Sequence, residues 1–151
     1  MALDDMYKEV ILDHYKNPRN KHDLPEAELS CTRNNPLCGD EITVFVHEDG
    51  DTIAQVAFMG AGCSISQSSA SMMTQAVSGK KIDQAKALAA EFRGMMAGEV
   101  EPDEDGLGDL VALKGVVKYP IRIKCAVLAW DVLQEALDSA GTASGSAPHS
   151  V

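Results

Sequence analysis

The chain is poor in cysteine, in positive charge and in long apolar runs, and each shortage removes a class of protein. Four cysteines in 151 residues are too few for the dense disulfide framework of a small secreted domain. The opening Met1-Ala2-Leu3-Asp4-Asp5 puts acid where a secretory leader would put base followed by an apolar run. No apolar stretch approaches the roughly 20 residues of a membrane-spanning helix. A reducing, cytoplasmic setting with free thiols follows as the expectation, and there metal binding or thiol chemistry outranks disulfides. Lysine and arginine number 13 against 23 acidic residues, a formal net charge of -10, which is the wrong sign for a phosphate-covered partner. Nucleic acid is therefore not expected to bind.

A hydrophobic content of 45% suffices for one core without staples, so residues 1–140 are expected to form a single domain, with 141–151 as a small, polar, disordered tail. Leu3, Met6, Tyr7, Val10, Ile11 and His14 share one stripe of a helix that should end before Asn17-Pro18. Ile42, Val44 and Val46 alternate with Thr43, Phe45 and His47, Asp49-Gly50 interrupts, and an apolar run resumes over Ile53 to Met59, which predicts a β-hairpin. A weaker run at Glu28 to Thr32 offers a third strand. Ser64 and Gln67 suggest a capping box opening a helix that runs to about Val77. Further helices are expected from near Asp83 to Gly98, and from Ile121 to about Ala140, with the acidic, glycine-containing stretch between them read as a loop. Strands early and helices late imply an α+β fold, a small antiparallel sheet of about three strands with helices on one face.

Three thiols fall at structural boundaries: Cys38 in Asn35-Pro36-Leu37-Cys38-Gly39-Asp40, Cys63 in Gly60-Ala61-Gly62-Cys63, and Cys125 in Arg122-Ile123-Lys124-Cys125. With Asp40 they make four donors, the number a tetrahedral Zn2+ site requires. Cys38 and Asp40 at i and i+2 would project to one side of an extended segment. Cys63 and Cys125, at helix starts, would have their thiolates favoured by the positive ends. Three thiolates and a carboxylate around Zn2+ leave a formal charge of -2, so cations are needed nearby, and Arg122 and Lys124 are the candidates. A filled site leaves no position for an activated water. It can hold a thiolate ready until it is released as a nucleophile, which suits a sulfur acceptor.

The same segments, together with Asp13-His14-Tyr15-Lys16-Asn17-Pro18-Arg19-Asn20 and Ser69-Ala70-Ser71-Met72-Met73, resemble those of the IscU/NifU-like iron-sulfur cluster assembly family. The resemblance runs from Tyr7 to about Leu137. A long segment between the second and third site cysteines, Lys124 where IscU-like scaffolds carry histidine, and Lys118-Tyr119-Pro120 near their Leu-Pro-Pro-Val-Lys stretch are similar to the SufU branch. The resemblance implies a SufE/NifU-like fold and a zinc-dependent sulfurtransferase with Cys38, Asp40, Cys63 and Cys125 as metal ligands. It further implies that Cys38 takes persulfide sulfur from a SufS-type cysteine desulfurase once a desulfurase histidine replaces it on the metal. Downstream iron-sulfur assembly proteins are the implied recipients. Arg122 would orient Cys38 or the incoming persulfide. A scaffold assembling a 2Fe-2S cluster on the same four ligands is the alternative, and a structural zinc module is a third reading. Cys31 reads as an incidental strand cysteine, His14 as helix packing or a partner contact, and the methionines as core.

Overall fold

The computed structural model describes residues 2–35, 39–99 and 107–142, with backbone alone for 2–7 and 139–142. Cys38, the acidic run 101–106 and the expected tail from position 143 onward lie outside the described residues. Helix α1 (Ala2–Lys16) leads through an irregular segment to strands β1 (Leu29–Asn35), β2 (Asp40–Asp49) and β3 (Thr52–Ala61). Helices α2 (Ser64–Val77) and α3 (Ile82–Met96), a 3-10 segment (Gly108–Lys118) and the long α4 (Pro120–Thr142) follow.

The strands form one antiparallel sheet in the order β1-β2-β3. Val44 pairs with Cys31 on one side and Phe58 on the other. Because side chains alternate across a strand, Ile42, Val44 and Val46 all point to the helical side, where they are fully buried, while Thr43, Phe45 and His47 are only half-buried on the other. The helices thus cover one face, and α2 and α4 both pack on the sheet and on each other. Trp130 of α4 stacks on Phe92 of α3 with ring centroids 5.0 Å apart, an offset arrangement that adds to burial. Ser69 in α2 donates its hydroxyl to the Ala126 carbonyl of α4 at 2.6 Å, locking the two helices together next to Cys125.

Helix α1 is fastened by a polar pin. His14 is fully buried; its Nδ1 lies 2.8 Å from Ser71 Oγ and its Nε2 2.9 Å from Asp109 Oδ2. The arrangement that satisfies each group has Nε2–H donating to Asp109 and the Ser71 hydroxyl donating to Nδ1, while Ser71 Oγ accepts the Arg19 backbone N–H at 2.9 Å. One imidazole therefore joins α1, α2 and the 3-10 segment.

Several expectations shift. Strand β1 reaches Asn35, beyond the Thr32 at which the sequence run was expected to end. The 3-10 segment, with Leu110, Val111, Ala112, Leu113 and Val116 buried, was not legible as an element. Ser64 is not a cap. Cys63 occupies the N-cap position, extended at φ -74 and ψ 166, with no side-chain cap bond, and Gln67 turns inward so that its Nε2 donates to Ser66 Oγ at 3.2 Å. At α3 the Gln84 side chain does accept the Lys81 backbone N–H, at 3.0 Å, which is half of the reciprocal pair that the α2 sequence suggested.

Candidate metal centre

The site sits where the sheet hands the chain to its helices. Asp40 is the first residue of β2, on the face that carries Ile42, and it is completely buried. Across the strand pair it stands opposite Asn35, the last residue of β1. Between them the backbone turns at Gly39, whose φ of +71 is left-handed and whose N–H is bonded to the Asn35 carbonyl at 2.8 Å. This is conformational space glycine enters without steric cost. A turn at Gly39 therefore lies immediately before Asp40; Cys38, the other arm of the extended Cys38–Asp40 pincer expected from the spacing, lies outside the described residues.

On the other side of β2, strand β3 ends at Ala61 opposite Glu41, and Gly62 passes directly over Asp40. Its φ is +152, and a Cβ there would drive into Asp40 Oδ1 and lie 2.9 Å from Asp40 Cα. Only glycine fits that approach without displacement. It lets the next backbone N–H, that of Cys63, donate to Asp40 Oδ1 at 2.8 Å, while Cys63 Sγ lies 3.8 Å from Oδ2. A carboxylate brought in by the sheet thus accepts the N-cap N–H that a local Gln or Glu accepts in a capping box, and it does so at the positive end of α2.

Cys125 comes from the far side. Helix α4 opens on Pro120, a residue suited to a first helical position, so Cys125 lies in the second turn rather than the first. The helix-end field falls off within one turn, and the thiolate argument from the dipole transfers poorly to it. The Cys125 thiol is fully buried, 3.9 Å from the Ile121 carbonyl. Asn35 Nδ2 points at its sulfur from 4.0 Å.

Asp40, Cys63 and Cys125 are brought together, with one ligand atom of each lying within 4.8 Å of the others. Around a tetrahedral Zn2+ with bonds of about 2.0–2.3 Å, ligand atoms stand roughly 3.3–3.8 Å apart, so about an ångström of contraction would seat an ion. Two soft sulfurs and one hard oxygen, with a third cysteine two positions before Asp40 in the sequence, suit Zn2+. Arg122 and Lys124 are exposed in the opening turns of α4, with Arg122 three residues, just under one turn, before Cys125. Asn35 and Gly62 stand within the site motifs, but sequence reasoning assigned neither a part in shaping the site.

Cys31 stays apart. It lies on the inner face of β1, and burial, reinforced by the neighbouring Glu135 carboxylate, pushes its thiol up to about 11. Arg33 pairs with that same Glu135 at 2.9 Å.

A sequence profile of the NifU-like N-terminal domain matches residues 6–126. The zinc-dependent sulfurtransferase SufU of Bacillus subtilis is 50% identical over 133 residues, covering 88% of this chain and 90% of SufU. The iron-sulfur cluster assembly scaffold protein IscU of Streptococcus pyogenes is 44% identical over 141 residues, covering 93% and 88%. Among solved structures, an iron-sulfur cluster assembly scaffold protein for the SUF system from Fervidobacterium islandicum superposes with a TM-score of 0.81 at 36% identity, covering 85% of this chain and 94% of that one. A NifU-like N-terminal domain from Brucella abortus gives a TM-score of 0.85 at 22% identity, covering 95% and 99%, and speaks to the fold alone.

Proposed function

Because this chain belongs to the NifU-like N-terminal domain family, we propose that it is a sulfur-acceptor protein of iron-sulfur cluster assembly, a zinc-dependent sulfurtransferase acting with a SufS-type cysteine desulfurase. The observation that carries this reading is the meeting of Asp40, Cys63 and Cys125 from three elements, two residues along the chain from Cys38, in a sequence half-identical to SufU.

Cys38, Asp40, Cys63 and Cys125 would hold the ion. Bound there, Zn2+ supplies positive charge that keeps the thiols deprotonated and protected. The chain's own residues do the rest. Asp40 anchors Cys63 through its backbone N–H. Freed, the Cys38 thiolate attacks the outer sulfur of the donor's persulfide; a new S–S bond forms on Cys38 as the donor's breaks, and the donor cysteine leaves as thiolate, so sulfur moves without net oxidation. Arg122, exposed one turn before Cys125, orients the anionic sulfur. Tyr119 and Ile121, 59% and 61% exposed beside the start of α4, give a docking protein apolar purchase. No helix among the described residues is long and apolar enough to cross a membrane. A cytoplasmic location and downstream iron-sulfur assembly proteins as recipients belong to the same reading.

Incubation with desulfurase and cysteine, followed by mass spectrometry, should find one persulfide on Cys38, lost in Cys38→Ala. Absence of any persulfide in the wild type would overturn the reading. The scaffold reading, in which a 2Fe-2S cluster forms on the same ligands, is favoured by the names of the streptococcal and Fervidobacterium relatives. A stable cluster after anaerobic iron and sulfide reconstitution, with no stimulation of desulfurase turnover, would establish it instead.

A further inference from the structure

We infer that Asn35 is a positioning residue of the metal centre: its side-chain amide donates an N–H to the sulfur of Cys125 and so fixes the orientation and donor strength of that thiolate. The inference rests on the proposal that Cys125 binds the metal.

Asn35 makes two separable contributions. Its backbone carbonyl closes the turn at Gly39 through the 2.8 Å bond to the Gly39 N–H, which any residue with a carbonyl could supply. Its side chain does something else. The strand register puts Asn35 on the inner face opposite Asp40, only 7% exposed, and aims Nδ2 at Cys125 Sγ, 90 residues away in sequence, at 4.0 Å. A protonated thiol is a weak acceptor, and this one donates toward the Ile121 carbonyl at 3.9 Å, so its contact with Asn35 is long. A metal-bound cysteine is a thiolate. It has no proton for Ile121 and becomes a strong acceptor, so the Asn35 N–H then has a charged partner and the bond shortens.

Such a donor has two effects. It holds the sulfur in register between the end of β1 and α4, and it withdraws electron density from the thiolate. Partners of this kind behind metal ligands typically change affinity by about 10–100-fold. A bulkier or donor-less residue would leave the turn intact while leaving the Cys125 sulfur without this bond.

The test uses full-length protein and its Asn35→Ala and Asn35→Leu variants, the second chosen because it keeps the branched shape of the side chain without a donor. Zn2+ affinity is measured by chelator competition, and each protein is also loaded with Co2+ to read the thiolate-to-metal charge-transfer band. The expected result is a loss of about tenfold or more in Zn2+ affinity, with the charge-transfer band moved to longer wavelength in both variants. Band position reports on the loaded, folded molecules alone, so a destabilised variant still answers. An unmoved band with unchanged affinity overturns the inference and leaves the metal site standing. Failure of the wild type to bind Zn2+ or Co2+ overturns the metal-site proposal itself, and this inference with it.

Discussion

At the scale of single residues, the site depends on side chains that are absent as much as on those present. Gly62 has no Cβ because Asp40 occupies the space one would need. Adding a methyl must push the carboxylate away from the Cys63 N–H or move the start of α2. Gly62→Ala is therefore expected to cost about 1–3 kcal/mol in stability and to weaken Zn2+ binding at least tenfold. Gly39→Ala, which meets nothing within 4 Å, carries only the backbone cost of its left-handed φ. Chemical denaturation and chelator competition on the pair would check this; equal effects from the two would show that the packing against Asp40 does not matter. Cys31 supplies a second residue-scale test. Its folded pKa of about 11 stands above the ordinary thiol value of 9.0, so near pH 8 it remains almost wholly a thiol. Its alkylation, followed by peptide mapping, should rise about tenfold per pH unit up to about pH 10, because only the thiolate reacts. The shift also costs stability at high pH, since the unfolded chain ionises first: stability contributed by the neutral thiol is intact below pH 9 and falls as pH climbs toward 11. A rate that levels off near pH 9 would show that burial and Glu135 do not restrain this thiol.

At the scale of elements, legibility followed periodicity. The hairpin was plain because Ile42, Val44 and Val46 bury one face at strict alternation, and α4 because Cys125, Leu128, Ala129, Val132 and Ala136, all buried, repeat at helical spacing. The 3-10 segment was missed because its key positions, Leu110, Leu113 and Val116, recur every three residues, the period of a 3-10 helix, interrupted by Gly115. A search for period three would have found it. The three candidate ligands were each visible as motif residues, but their meeting was not, since pairings such as Asn35 with Cys125 arise only when sheet register and helix packing combine. The His14 pin shows the same limit: periodicity put His14 on the buried stripe of α1 but could not reveal Ser71 and Asp109 as its partners. His14→Ala removes both hydrogen bonds, leaves a void, and takes away the acceptor for the Ser71 O–H, an effect of about 2–4 kcal/mol. Hydrogen exchange should show α1 opening first, with protection of β2 and β3 retained. Uniform loss of protection would mean that α1 is integral to the core rather than a docked element.

At the scale of the whole molecule, the question is whether the metal makes the fold or only uses it. The helical face of the sheet is filled by Trp130, Phe92, Phe58, Ile53, Met73 and Leu133, all fully buried, and α2 and α4 are tied together by Ser69 without help from an ion. In small zinc modules the ion supplies most of the folding free energy; here the apolar core is made of side chains other than the candidate ligands. Stripping the metal should therefore leave far-UV circular dichroism nearly unchanged. It should nevertheless lower the melting temperature, because a ligand that binds only the folded state stabilises it by about 4 kcal/mol at a free concentration 1,000 times its Kd. For a chain of this length that corresponds to about 8–16 °C. Asp40→Ala, which removes a candidate ligand without removing a sulfur, should melt at one temperature with or without Zn2+. Collapse of the helical signal on chelation would place the ion in the folding core, whereas a wild-type melting temperature indifferent to Zn2+ would remove it from the protein altogether. The expected pattern lies between these extremes. A frame that stands by itself can let one thiolate go without unfolding, which is the property a sulfur acceptor needs and a zinc-built module lacks.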